Sequence, residues 1–262
     1  MRPTIAKVRG NTRAIPDVLP DLKRLRRVTS SHSTERMSVT FEAPFSAAVL
    51  FADMRGYTGL AERLPPTQVV TLLDEFFAIL ASATAAYGGQ VFYMAGDGMM
   101  AGFRVRDPGR SGAREALAAA HAMLQRFAPV STRWRRELSL VTGIGVGLHL
   151  GAVAFGFFGP PGRKAITLIG DTVNVAARLC SCARAGEVLF SSTVAAALAA
   201  DGAVQHRPTA PRPFLHLPQF QLRGRSDLLD IWCVPAVERT HAPKNRRSRI
   251  EADLQVLHLS AD

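Results

Sequence analysis

The fold is decided by one apolar stretch, Ser46-Ala-Ala-Val-Leu-Phe-Ala-Asp53. The run stops at a charge and is soon followed by Gly56, as the run of a buried central strand does. We therefore expect Asp53 at the end of a strand. The next residues, Arg55-Gly-Tyr-Thr58, lie between this strand and a helix, where backbone N–H groups and the helix dipole receive phosphate oxygens.

Downstream of this strand the sequence predicts an amphipathic helix and then a hairpin. The helix opens at Pro65-Pro66 and ends near Gly88-Gly89. Its apolar residues follow helical spacing at Val69, Leu72, Leu73, Phe76, Phe77 and Leu80. Two strand-like pieces, 90–95 and 99–103, are separated by Gly96-Asp97-Gly98, which is typical of a turn between antiparallel strands. Asp97 is therefore expected at the tip of a hairpin.

Asp53 and Asp97 together predict a divalent-metal site, provided that the hairpin pairs beside the strand. Magnesium prefers oxygen ligands, often one or two carboxylates with substrate phosphates and water. Two ions about 4 Å apart would activate an attacking oxygen and stabilise a leaving group. Taken singly, each aspartate also has an ordinary explanation, Asp53 as a helix cap and Asp97 as a turn residue beside glycine.

The second half continues as an alternation of helix and strand patterns. An alanine-rich helix is predicted over about 113–127, and strands are predicted over 141–149, 152–157, 165–169, 187–190, 219–223 and 230–234. A helix after the third of these strands carries Asn174 and Arg178 on one face, either as a solvated patch or as part of a site. The order predicts an α+β fold, a ferredoxin-like βαββαβ core with additional strands and helices.

Composition and charge limit the protein class. The chain has 262 residues, with 32 Lys+Arg, 21 Asp+Glu, a net charge of +11 and three cysteines. The cysteines are odd in number and lack zinc-type spacing, so they indicate neither a disulfide scaffold nor a structural metal site, and a reducing, cytoplasmic compartment is expected. The longest apolar runs are too short for a membrane span. We predict a basic, mobile N-terminal arm over 1–45, one domain over 46–237 and a C-terminal tail over 238–262.

Four motifs carry a family resemblance. They are Phe51-Ala-Asp-Met-Arg-Gly-Tyr-Thr58, Gly88-Gly-Gln-Val91, Gly96-Asp-Gly-Met-Met-Ala101 and Ile169-Gly-Asp-Thr-Val-Asn-Val-Ala-Ala-Arg-Leu179. In this order they resemble the class III adenylyl/guanylyl cyclase catalytic domain. The stretches 145–151 and 222–225 fit the same family's later strands, so the resemblance covers about 46–235.

The resemblance implies a homodimer whose active sites each combine residues of both subunits. It assigns two Mg²⁺ or Mn²⁺ ions per site to Asp53, Met54 and Asp97 of one subunit, and catalysis to Asn174 and Arg178 of the other. It implies nucleotide contacts for Gly56, Tyr57, Thr58, Tyr93, Thr167 and Arg225, with Arg223 as the alternative to Arg225.

The implied reaction turns ATP into 3′,5′-cyclic AMP and pyrophosphate, but the base-reading positions depart from the family pattern. Tyr93 stands where the family's adenylyl cyclases usually place a lysine, and Thr167 occupies the partner position. Tyr93 offers a hydroxyl and a ring but no charged donor. The guanylyl-type pair of an acidic residue with a cysteine is also missing, so ATP is favoured over GTP. A poorly selective cyclase and a degenerate nucleotide-binding signalling module stay as alternatives.

The basic residues raise one rival function, nucleic-acid binding. Arg133, Arg135, Arg136 and the N-terminal arm supply the positive charge. No aromatic stacking platform or helix-turn-helix pattern accompanies them in the sequence, so a solvated basic surface is favoured over a nucleic-acid interface.

Overall fold

A computed structural model describes residues 26–28, 39–103, 112–160, 163–201, 214–222 and 228–236 of the chain. The strands are β1 (Arg26–Val28), β2 (Val39–Arg55), β3 (Gln90–Ala95), β4 (Gly98–Phe103), β5 (Gly143–Phe158), β6 (Ala165–Ile169), β7 (Val188–Ser191), β8 (Leu215–Gln221) and β9 (Leu228–Val234). The helices are α1 (Tyr57–Arg63), α2 (Pro66–Ala86), α3 (Ala113–Leu138), α4 (Asp171–Cys182) and α5 (Ser192–Ala200).

The strands of the described residues form a single mixed sheet. Its main path runs β3-β4-β2-β5-β7-β9-β8, with β1 paired to β2 and β6 paired to β5. The β5–β7 pair is parallel, and the other pairs are antiparallel. Helices connect strands that lie apart in the sheet, which confirms the predicted α+β class.

The strand predicted to be central is central, because β2 lies between β4 and β5. Its alternate side chains enter two different cores. Leu50 faces the larger core, which α2, α3 and α5 cover, while Val49 faces a second core beneath α4. The sequence of a strand that is buried on both faces is a nearly continuous apolar run, which explains the pattern of residues 46–53.

The sheet begins earlier in the chain than the sequence pattern indicates. Strand β2 starts at Val39, and β1 pairs with it, with Arg26 opposite Phe41 and Val28 opposite Val39. Both segments fall within the stretch 1–45 that was assigned to a mobile arm. The rest of that arm and the tail over 238–262 lie outside the described residues.

Two elements of the second half are longer than predicted. The two strands predicted over 141–149 and 152–157 are one strand, β5. It pairs with β2 without interruption from the pair Ser46 and Ala152 to the pair Arg55 and Gly143. Helix α3 continues past residue 127 to Leu138 with Pro129 inside it. The proline leaves the backbone carbonyl of Gln125 without its helical partner, and Gln125 is exposed, so water can satisfy that carbonyl.

Helix α2 corrects the expectation that no segment is apolar enough to cross a membrane. It has 21 residues and passes that test by length and composition. Polar residues interrupt its apolar runs, so the run lengths alone did not reveal it. Phe76 and Leu80 are fully buried in the larger core, and the Phe76 ring makes an edge contact with Phe127 of α3 at 5.3 Å. This packing is that of a core helix.

Candidate active site

The two aspartates lie together at one end of the sheet. Asp53 is the third residue from the end of β2 and is opposite Gly98 of β4 on one side and Gly145 of β5 on the other. Asp97 occupies the β3–β4 turn, as predicted. The N–H of Met54 donates a hydrogen bond to the carbonyl oxygen of Asp97 at 3.0 Å. This bond fixes the hairpin tip beside the end of β2.

The electrostatics of Asp53 show that the two carboxyl groups interact. The pKa of Asp53 is raised, first by burial and then by the negative charge of Asp97, while the Arg55 guanidinium opposes the shift. A β-carbon at Gly98 would lie 3.3 Å from Asp53 Oδ1, so the glycine keeps this oxygen clear on the hairpin side. A cation between the carboxylates would relieve their repulsion.

The donor set fits a magnesium-type ion. In the described part of the chain, no three His, Cys, Asp or Glu residues converge as a zinc site would require. Two carboxylates leave coordination positions for phosphate and water, as Mg²⁺ and Mn²⁺ prefer. The Met54 side chain is 2% exposed and belongs to the core, so only the main chain of Met54 can contribute.

The predicted phosphate-binding residues follow directly after Asp53. Gly56 has a φ of 86° and precedes α1. A β-carbon there would overlap the carbonyl oxygen of Val141, so the turn requires glycine. Tyr57 packs on the larger core, and Thr58 is exposed. The first amides of a helix have no intrahelical partner, which leaves them available to an anion.

The second predicted pair lies on α4. Asn174 is exposed and Arg178 is half-buried, one turn further along the same face. The opposite face of α4 packs on β5 so closely that a β-carbon at Gly147 would overlap the backbone of Ala176 and Cys180. The helix is therefore seated on the sheet with its polar face outward.

Residue 172 helps to seat α4 rather than cap it. Gly170 stands at the N-cap of α4, and no side chain caps the helix. The Thr172 hydroxyl instead donates to the carbonyl oxygen of Ala152 in β5 at 2.8 Å. A β-carbon at Gly151 would lie 2.6 Å from that hydroxyl, so this glycine of β5 makes the contact possible.

In the described part of the chain, no hydrogen bond or ion pair joins Asn174 or Arg178 to Asp53 or Asp97. The charged groups that shift the pKa of Asp53 are Asp97 and Arg55, and among the described residues Arg178 is not one of them. Asn174 lies on the side of α4 that faces away from its own sheet. The structure thus assembles each pair separately.

The base-reading candidates lie on two elements that contact each other, Tyr93 on β3 and Thr167 on β6. A bulge between Val91 and Tyr93 sets Tyr93 opposite Met100, which belongs to the core beneath α4, and Tyr93 is 55% exposed. Thr167 lies in β6, which packs against the β3–β4 pair through Leu168. Its half-buried hydroxyl makes a long 3.5 Å hydrogen bond to the Leu168 carbonyl oxygen. Arg223 and Arg225 lie outside the described residues.

Arg55 is the residue whose position the sequence reasoning missed. Its guanidinium pairs with Asp53 and also donates to backbone carbonyls at the end of α4. The signal was present, because residues two apart on a strand point to the same face. Arg55 had been grouped only with the phosphate-binding turn.

The glycine-rich strand and the cysteines have structural explanations. The glycines of β5 at 143, 145, 147 and 151 make room for α4 and for the loop that follows it. Burial raises the pKa of the Cys180 thiol to about 12. The thiol is therefore neutral, and it donates to the Gly145 carbonyl oxygen at 3.3 Å. These contacts agree with packing rather than redox chemistry.

Comparisons with known proteins point to one family. Residues 40–216 match the family described as adenylate and guanylate cyclase catalytic domain. An adenylate cyclase of Anabaena cylindrica is 32% identical over 160 residues, which is 58% of this chain and 30% of that protein. The chain thus spans less than a third of the length of this relative.

Two solved structures share the fold. The adenylyl cyclase CyaB from P. aeruginosa aligns with a TM-score of 0.65 and 25% identity, over 76% of this chain and 98% of that one. The guanylyl cyclase Cya2 aligns with a TM-score of 0.62 and 26% identity, over 76% of this chain and 96% of that one. One is named for adenylyl and the other for guanylyl activity, so the likeness does not select a base.

Proposed function

The chain belongs to the adenylate and guanylate cyclase catalytic domain family, and from that premise we propose that it is a homodimeric adenylate cyclase. It would convert ATP to 3′,5′-cyclic AMP and pyrophosphate. The observation that carries the proposal is the separation of two polar pairs. Asp53 and Asp97 interact, while Asn174 and Arg178 lie on the face of α4 opposite the one that packs on the sheet. A second copy can supply the missing pair to each site.

Each residue has a role that follows from its chemistry. Asp53 and Asp97 would hold two Mg²⁺ or Mn²⁺ ions, which when bound lower the pKa of the ribose 3′-hydroxyl and neutralise phosphate charge. Arg178 of the other subunit would donate to the α-phosphate oxygens as negative charge develops there. Asn174 would orient the ribose so that the 3′-oxygen lies in line with the leaving group.

The bond changes follow from this arrangement. The 3′-oxygen forms a bond to the α-phosphorus, and the bond between that phosphorus and the bridging oxygen breaks. Pyrophosphate leaves with the electron pair, and the hydroxyl proton passes to solvent. Amides of the turn at Gly56–Thr58 would hold phosphate oxygens during the displacement.

Base choice rests on Tyr93 and Thr167. Both carry hydroxyls that donate or accept a hydrogen bond, and neither is charged. A hydroxyl pair accepts either purine with little discrimination, so GTP is the second candidate substrate. The similarity to the guanylyl cyclase Cya2 supports keeping this candidate. Parallel assays with ATP and GTP decide between them.

The test of the shared site is complementation. Asp53→Ala and Arg178→Ala should each be nearly inactive in an assay for cyclic product with Mn²⁺. After subunit exchange, their mixture should regain about a quarter of the wild-type rate, because half of the dimers are hybrids with one complete site. The matched control mixes Asp53→Ala with Asp97→Ala, which damage the same half and should not complement.

Three outcomes would count against the proposal. Product formation by the control mixture, or no recovery in the test mixture despite demonstrated exchange, would rule out the shared site. Binding of ATP without cyclic product in the wild-type protein would favour the degenerate signalling module.

A further inference from the structure

The side chain of Arg55 bridges the two halves of the site within one chain. Its Nη1 group pairs with Asp53 Oδ2, its Nε donates to the carbonyl oxygen of Ala183 at 2.9 Å, and its Nη2 donates to the carbonyl oxygen of Cys180. One guanidinium therefore contacts a carboxylate on β2 and two carbonyls at the end of α4. A planar fork of N–H donors suits such a three-way contact.

The surroundings of Arg55 are shaped to hold this contact. A β-carbon at Gly145 would lie 2.5 Å from Nη2 and 2.6 Å from Nε, so the glycine provides the space that the guanidinium occupies. The side chains of Arg55 and Asp53 are 25% and 31% exposed, so water screens their pairing only partly. The α4 carbonyls carry the negative end of the helix dipole, which attracts the cation.

We propose that Arg55 is a positioning residue that couples the metal half of one active site to the Asn174–Arg178 half of the other. This inference rests on the proposed homodimer, in which the Asp53 and the α4 of one chain serve different sites. Through Asp53 Oδ2, Arg55 orients the carboxylate so that Oδ1 faces the hairpin. Through the carbonyls, it holds the last turn of α4 against β5. A cation bound by Asp53 would thus alter the seating of α4.

The first experiment measures hydrogen exchange in metal-free wild-type protein and in Arg55→Met. The variant keeps the apolar stem and removes the donors, so amides of the α4 end, residues 176–186, should exchange faster. Adding Mn²⁺ should change their exchange in the wild-type protein and not in the variant. Arg133→Met is the matched control, because it removes an arginine that pairs with Glu75 away from the site. Its α4 exchange should equal that of the wild-type protein.

The second experiment uses hybrid dimers with a single complete site. One subunit carries Arg178→Ala and supplies the aspartates, and the other carries Asp97→Ala and supplies α4. Arg55→Met is placed in one subunit at a time. Each placement should lower kcat by about 10- to 100-fold, the cost usual for removing a partner that orients a metal ligand, with a smaller change in KM.

The outcomes separate this inference from the proposed function. Loss of rate from one placement only, or unchanged exchange at residues 176–186, would overturn the coupling while the cyclase activity stands. If the hybrid dimer without Arg55→Met forms no cyclic product, the proposed function fails. The hydrogen-exchange experiment then still tests the contact between Arg55 and the end of α4. If Arg55→Met does not fold, Arg55→Lys takes its place. One ammonium cannot make all three contacts, so the same faster exchange is expected.

Discussion

The two halves of the candidate site are built in opposite ways. The aspartate half lies at the end of central strands, where a backbone hydrogen bond fixes the hairpin and the two carboxyl groups already interact. The Asn174–Arg178 half lies on the outer face of a helix, and the described residues of its own chain do not bring it to the aspartates. The aspartate half is formed within the chain, whereas the Asn174–Arg178 half would complete a site only in the proposed dimer.

Removing one carboxylate of the aspartate half should have the largest effect on activity. Asp97→Ala should lower kcat by more than about 10³-fold, since metal catalysis contributes several kcal/mol and each ~1.4 kcal/mol is a factor of ten. It should also abolish Mn²⁺ binding, measured by calorimetry. Asp74→Ala, which removes an exposed carboxylate on α2, is the control and should change neither value. Normal Mn²⁺ binding by Asp97→Ala would show that the metal site does not include Asp97.

Removing the guanidinium of the other half should separate catalysis from metal binding. Arg178→Ala should lower kcat by about 10²- to 10³-fold, the usual cost of losing a donor that stabilises transition-state charge. Mn²⁺ affinity should stay unchanged, because Arg178 does not act on Asp53 in its own chain. Arg126→Ala, on the exposed side of α3, is the control. A large loss of Mn²⁺ affinity in Arg178→Ala would show that Arg178 itself contributes to the metal site.

The seating of α4 can be tested by filling the space beneath it. Gly147→Ala should lower the free energy of unfolding by about 1–3 kcal/mol, because the new methyl group meets backbone atoms that cannot give way. Gly59→Ala, with nothing within 4 Å of the added β-carbon, is the matched control and should be neutral or slightly stabilising. Chemical denaturation measures both. Equal stability of the two variants would contradict the close contact of α4 with β5.

The smallest effect concerns pH and the charge of Asp53. A carboxyl group whose pKa is raised on folding supports stability fully below its ordinary pKa of 3.8, and that support is lost as the pH rises through the raised value. At neutral pH the ionised Asp53 of the metal-free protein is therefore destabilising. Asp53→Asn should raise the Tm of metal-free protein at pH 7, by less than Gly147→Ala lowers it, and should leave it unchanged below pH 3.

Saturating Mn²⁺ provides the control for this pH effect. The ion should stabilise the wild-type protein and not the variant, because binding to the folded state alone raises stability. A lower Tm of metal-free Asp53→Asn at pH 7 would contradict the raised pKa. It would also mean that the pairing with Arg55 outweighs burial and the repulsion from Asp97.

Local patterns predicted most of the positions in the site. The strand ending at Asp53 and the turn at Asp97 follow from alternation and from glycine, since both signals depend on neighbouring residues only. The placement of Asn174 and Arg178 on one helix face follows from the helical repeat in the same way. These predictions needed no knowledge of how the chain folds back on itself.

Contacts between distant segments explain what the patterns missed. Gly151 was expected to separate two strands, but it lies inside β5 because Thr172 needs the space above it. Helix α3 continues through Pro129 because Gln125, whose carbonyl loses its helical partner, is exposed to water. The contact of Arg55 with Cys180 and Ala183 joins residues more than 120 positions apart. A sequence window contains none of these partners.

The amino-acid sequence alone predicts which side chains would carry the chemistry and the strand, turn or helix on which each one lies, because strand and helix periodicity is a local property of the backbone. The tertiary structure decided which of those side chains meet. It set Asp53 beside Asp97, left Asn174 on the exposed face of α4, and placed Arg55 between β2 and α4. Contacts of this kind depend on the order of the strands in the sheet and on how closely a helix can pack over glycine. Both are fixed only when segments far apart in the sequence pack into one core.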